Sequence, residues 1–265
     1  MLPLLKCINF CKFRPIPSFS FPLQLSTNAT EASEHLVSML FSWSAAGALL
    51  FVNTVITAPL AEGPTLTPTA TVRNGTYSGV YSSQYNQDYF LGVPFAQPPT
   101  ENLRFRVPQS LNSSWTGVKS STNYSASCVG YGTDDLPYSE LSEDCLYLNI
   151  VRPTGYGSQK LPVAFWIHGG GLTQGSGIDQ RYNLSFIVKK SVDIGKPVIA
   201  VSINYRLSMW GFITGEEVLD SGNANLGFRD QRLALHWVKE NIAAFGGKLL
   251  VSFGIVGYKS LTDFT

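Results

Sequence analysis

Three glycines follow a histidine in "HGGGLTQGSG", His168 to Gly177, directly after the apolar run "LPVAFWI". Glycines at the end of a buried strand leave backbone N–H groups open where side chains would cover them. Such donors stabilise the oxygen anion that forms when a nucleophile adds to a carbonyl, a contribution of ~3 kcal/mol per donor. The chemistry implied is acyl transfer. A lone GGG also suits a flexible turn or a phosphate-cradling loop, but the tetrapeptide HGGG after a buried strand is a more specific signal. Acyl transfer further needs a nucleophile, here a serine on a G-x-S-x-G turn, with an acid and a histidine later in the chain. No G-x-S-x-G occurs in the 265 residues. "GIVGYKS" is no replacement, because Ser260 lacks the flanking glycines.

The elements that must position the glycines can be read from pattern. "EDCLYLNIVRP" predicts a strand, and "LPVAFWI" predicts one buried on both faces, because it is apolar at nearly every residue. "RYNLSFIVKKSVDIG" reads as a helix and "KPVIAVSINYR" as a further buried strand. Strand, helix, strand is the crossover unit of an α/β sheet. A later helix carries Ala234, Trp237, Val238, Ile242 and Phe245 on one stripe that should lie on that sheet. Upstream, "TVRNGTYSGVYS" alternates around Asn74-Gly75 and predicts a β-hairpin. "FLGVPFAQPPTENLRFRVPQSL" is dense in Pro and aromatics and is expected to be irregular.

Composition narrows the setting. With 44% hydrophobic residues the chain has material for a sizeable core, and its net charge of +1 gives no broad attraction to nucleic acid or anionic membrane. Residues 1–61 read as a leader. Its apolar run Met39 to Ala61 resembles a secretory signal peptide if translation starts at Met39. Read from Met1 it is preceded by Lys6, Lys12 and Arg14 and is near the roughly 20 residues that span a bilayer, so a membrane anchor is the alternative. A buried core helix fits less well, because the Pro- and Thr-rich linker 62–70 follows at once. N-x-[ST] sequons stand at Asn28, Asn74, Asn112, Asn123 and Asn183, against about two or three expected by chance. Together with the leader they favour the secretory route, with Asn74, Asn112, Asn123 and Asn183 as glycosylation candidates. Of four cysteines, Cys128 and Cys145 fall in the body. They are either a disulfide, worth roughly 3 kcal/mol in an oxidising compartment, or two buried thiols. No Cys or His cluster has zinc-like spacing.

These landmarks, in order, are "FLGVPFAQPP", "LRF", "SEDCLYLNIVRP", "WIHGGG", "VSINYR" and "GNANLGFRDQRLALHWVKENIAAFGG". Together they resemble the N-terminal part of type-B carboxylesterases and lipases, which have an α/β-hydrolase fold, and in particular the secreted fungal members. The resemblance covers residues 71–247 and implies an ester hydrolase that works through a Ser-His-acid triad without a cofactor, on small-molecule or lipid esters. It implies oxyanion donors at the backbone of Gly170 and Gly171, a disulfide between Cys128 and Cys145, and structural ion pairs Arg104 with Glu143 and Arg206 with Asp230. His168 and His236 match positions other than the catalytic histidine. None of the triad residues is identified in the chain, which is therefore expected to be inactive by itself. A non-catalytic binding module of cholinesterase type is the alternative. At Lys248 the resemblance ends, and the fold is expected to stop short of the nucleophile turn with a buried strand left as an open edge. Residues 248–265 read as an unrelated tail. Gly247-Lys248-Leu249 can be encoded GGT-AAG-TT(A/G), which holds a splice-donor string, so in-frame intron sequence is the expected origin.

Overall fold

The computed structural model describes residues 67–131 and 140–256, with backbone alone considered for 249–256. The leader, most of the linker and the last nine residues of the tail lie outside it. The first half of the described chain is built of strands: β1 (Thr69–Val72), β2 (Gly75–Ser78), β3 (Val80–Ser82), β4 (Gln87–Pro94), β5 (Val118–Ser120), β6 (Ser127–Cys128) and β7 (Leu141–Ser142). Then come β8 (Tyr147–Pro153), β9 (Leu161–Ile167), helix α1 (Leu184–Asp193) and β10 (Ile199–Ile203). Helices α2 (Ser208–Phe212), α3 (Glu216–Asp220) and α4 (Leu226–Asn241) precede the last strand, β11 (Gly247–Val256).

The central sheet has the order β11-β9-β10-β8-β4-β3. β9 runs parallel to both β10 and β11, while β8 pairs antiparallel with β10 and with β4. Parallel strands cannot be joined by a tight turn, so α1 spans the gap from β9 to β10 as the crossover helix. Asn183 starts α1 by accepting a hydrogen bond from Ser185 N at 2.9 Å. Val188 then packs on Val151 and Ala200. On the opposite face, Ala234, Trp237 and Val238 of α4 join Val163, Phe165, Ile199 and Val201 in the main core. The 3-10 turn Ile242–Phe245 continues that stripe, and Phe245 meets Phe90 of β4 edge-on with ring centres 4.9 Å apart.

Four sequence expectations change in detail. The hairpin β1–β2 turns at Arg73-Asn74, one residue earlier than the Asn-Gly signal, because Val72 pairs with Gly75. "FLGVP" is not irregular: it belongs to β4, which bulges between Phe90 and Val93 against β8. Gly92 makes the bulge possible, having a φ of +63° and an Asn123 carbonyl 2.6 Å from where a Cβ would stand. β10 is buried at every residue, but β9 alternates, with Pro162 exposed and Ala164 and Trp166 half-buried. The cause is that α1 packs over β8 and β10, leaving the near face of β9 to Tyr182, whose ring lies 4.9 Å from that of Trp166. Finally, β9 is no open edge, since the backbone of β11 pairs along it.

Candidate active site

β9 delivers the chain to His168, and the loop that follows is bound from several sides. His168 is buried and stacks on Tyr205, ring centres 4.4 Å apart, while the Tyr205 hydroxyl donates to the His168 carbonyl at 3.0 Å. The imidazole Nδ1 lies 2.9 Å from the Gly169 carbonyl, and Nε2 is buried with no partner among the described residues. Nδ1 must therefore carry the proton and donate, leaving a bare lone pair at Nε2. Burial pushes the His168 pKa down from 6.5 to about 4, overriding the opposing pull of the Gly169 carbonyl and of Asp179. The ring is neutral at neutral pH, as a spacer in a loop should be.

Gly170 has a φ of +110°, and a Cβ there would sit 2.2 Å from the Gln174 carbonyl. Its own carbonyl accepts from Thr173 N at 3.1 Å and Gln174 N at 3.2 Å, closing a tight turn. Gly171 has a φ of +62°. That turn uses the amides of Thr173 and Gln174 and spares those of the glycines: among the described residues the N–H groups of Gly170 and Gly171 donate to nothing. Gly170 is half-buried and Gly171 exposed. Two adjacent unpaired donors at the C-terminal end of a parallel strand can hold an oxyanion.

A buried polar network that pattern reading did not find fixes the far end of the loop. The Asn204 carboxamide accepts from Gly177 N at 2.8 Å and from the Ser176 hydroxyl at 3.0 Å, and donates to the Ala126 carbonyl at 3.0 Å. Ser127 donates to Ser176 at 2.8 Å, and Ser202 donates to the Gly177 carbonyl at 2.7 Å. From the third side, Tyr131 N donates to the Thr173 carbonyl at 2.7 Å and Ser208 N to the Leu172 carbonyl at 2.8 Å. Gly130 lies so close that a Cβ would meet the Thr173 carbonyl at 2.3 Å.

The bracing segment is itself pinned. Cys128 and Cys145 form a disulfide with their Cα atoms 5.0 Å apart. Around it gather the two ion pairs, and the disulfide, Arg104, Glu143, Arg206 and Trp210 line one void of about 10 Å³. Glu143 accepts from Arg104 Nε at 2.8 Å and from Trp210 Nε1 at 2.9 Å, and the Arg104 hydrogen bond holds its carboxyl below the ordinary value. Asp230, fully buried, accepts from Arg206 N, Nε and NH2 at 3.0, 2.8 and 2.7 Å. Every oxygen of these carboxylates already accepts from a fixed donor, so neither is free to move a proton in catalysis. His236 is an exposed residue of α4. Of the sequon asparagines, Asn112, Asn123 and Asn183 are exposed and Asn74 half-buried.

A mixed sheet flanked by helices, with its parallel strand running into an HGGG loop, is part of an α/β-hydrolase fold. The chain belongs to the carboxylesterase family, whose model matches residues 66–249. It is 41% identical to lipase 2 of Diutina rugosa over 68% of this chain and 36% of that protein. It is likewise 41% identical to secreted lipase 1 of Botryotinia fuckeliana (strain B05.10), over 80% of this chain and 40% of the relative. A solved thermophilic pNB esterase superposes with a TM-score of 0.64 at 34% identity, covering 72% of this chain and 38% of the other. The chain thus spans well under half the length of the relatives it matches.

Proposed function

We propose that this chain is part of a secreted carboxylic ester hydrolase and carries the oxyanion side of its acyl-transfer site. The observation that carries the reading is the pair of undonated N–H groups at Gly170 and Gly171, held in place by a loop bound on three sides. In ester hydrolysis a serine oxygen adds to the carbonyl carbon, and the carbonyl oxygen takes the negative charge. The two amides lower that barrier because they are preorganised and need no rearrangement as the charge develops. Collapse expels the alcohol, and water repeats the cycle on the acyl-enzyme. The serine, its histidine and the orienting acid are not identified among the 265 residues, so the chain alone does not turn over esters. Substrates are small-molecule or lipid esters. Export is supported by the sequons, the disulfide and the secreted fungal relative. Among the described residues no helix is long and apolar enough to cross a membrane, and the run 39–61 lies outside them.

Hydrolysis of a short p-nitrophenyl ester tests this. The chain should be inactive, and a version continued past Gly247 with spliced downstream sequence should be active. Activity in the 265-residue chain would overturn the proposal. The missing G-x-S-x-G also favours a second reading, a non-catalytic binding module, and inactivity of both versions would support it.

A further inference from the structure

A cleft of about 460 Å³ opens between the β1–β2 turn, the segment 110–114 and helix α4, and shares no lining residue with the HGGG loop. Its size falls in the ~300–1,000 Å³ range of small-ligand sites. Its walls are mostly hydrogen-bonding groups: Arg73, Asn74, Ser110, Asn112, His236 and Glu240. Arg73 and Glu240 stand 3.9 Å apart across it and offset each other, so the cleft favours neither a simple anion nor a simple cation. Trp237 and Phe95 close the floor, but both are buried and offer little apolar surface. A neutral ligand rich in hydroxyl and amide groups suits such a lining.

One wall of the cleft holds an attachment point for such a ligand. Asn112-Ser113-Ser114 is a glycosylation sequon, Asn112 is exposed, and its carboxamide makes no hydrogen bond among the described residues. The other sequon on the cleft is already engaged. Asn74 Nδ2 donates to the Ser113 carbonyl at 2.8 Å and thereby holds the 110–114 wall against the hairpin. Asn123 is exposed and lies outside the cleft, and Asn183 is used as the cap of α1.

We propose that Asn112 carries an N-linked glycan whose first N-acetylglucosamine residues lie in this cleft. In the attachment step, Asn112 Nδ2 bonds to C1 of a sugar carried on a polyprenyl diphosphate. The C1–O bond to the diphosphate breaks, the diphosphate leaves with the bonding pair, and one amide proton passes to solvent. The sugar hydroxyl and acetamido groups then meet the Ser110, His236 and Glu240 side chains, and the glycan covers the seam between the hairpin and α4. The inference rests on the secretory reading above.

The test uses the full chain secreted from a yeast host that adds high-mannose glycans. Glycopeptide mass spectrometry reads occupancy at each sequon, and endoglycosidase H, which cuts between the two core sugars, is applied to native and to denatured protein. Asn112 should be occupied, and its release should be at least tenfold slower in the native state than after denaturation, whereas Asn123 should lose its glycan at similar rates in both. Ser110→Trp, which fills the cleft, should abolish the difference at Asn112 without lowering its occupancy. An occupied Asn123 beside an empty Asn112 overturns the inference alone, as does equal release from native and denatured Asn112. If no sequon is occupied, the secretory reading falls and takes the inference with it.

Discussion

Protonating His168 should loosen the loop that carries the two amide donors, and the size of the effect follows from its surroundings. The ring is buried, Nδ1 is committed to the Gly169 carbonyl, and Nε2 faces no acceptor among the described residues. A second proton would therefore be a buried, unpaired donor on a buried cation. Tyr205, stacked on the ring, is pushed up to about 12 by burial and stays neutral, so Asp179 is the charged group whose field bears on His168. With the folded value near 4 and the ordinary value 6.5, the unfolded chain takes up the proton first as pH falls. Stability is then fully present above 6.5 and declines through the window down to about 4. The whole difference is about 3 kcal/mol, of which roughly 2 kcal/mol is lost between pH 7 and pH 4.5. Urea unfolding at the two pH values measures it, with His168→Phe as reference, because phenylalanine keeps the stack on Tyr205 and cannot titrate. The wild-type chain should lose roughly 2 kcal/mol more than the variant over that range. Equal losses in the two proteins would refute the reasoning.

Other changes probe the same scaffold. Asn204→Leu removes the acceptor for Gly177 N and Ser176 and should cost about 2–4 kcal/mol, with faster hydrogen exchange at the Gly177 amide as its local sign. Gly170→Ala should be worse than Gly171→Ala by at least ~1 kcal/mol in thermal unfolding. Both add a side chain at positive φ, but only at Gly170 does the new carbon strike backbone, at 2.2 Å, whereas at Gly171 the nearest atom is 3.9 Å away. Asp230→Asn leaves the buried Arg206 guanidinium without its counter-charge and should cost about 3–5 kcal/mol by denaturant titration. Reducing Cys128–Cys145, which closes a separation of 17 residues, should cost about 3 kcal/mol and lower the melting temperature in dithiothreitol.

What could be read from the chain was what lies close together in it. "LPVAFWI" followed by HGGG sits within one short window, so strand and loop were both legible, as was the helical stripe from Ala234 to Phe245. The family resemblance supplied the ion pairs and the cysteine pairing. Asn204, Ser176 and Ser127 were invisible as a group, because their link exists only once β10, the glycine loop and β6 are side by side. Each alone looks like an ordinary polar residue. The half-exposed face of β9 was misread for a related reason: apolar content says a face can be buried, but where α1 lies decides whether it is. The hairpin shift to Arg73-Asn74 is a register choice made by cross-strand pairs, which a two-residue turn signal does not specify.

The strand order β11-β9-β10 also sets a schedule for synthesis. Roughly 80 residues separate the end of β9 from the start of β11, so at about 5–20 residues per second a ribosome needs roughly 4–16 s to deliver the partner. During that interval β9 can pair with β10 but has nothing on its other side. This is the period in which a chaperone, or a neighbouring nascent chain, has access to the strand that leads into the glycine loop.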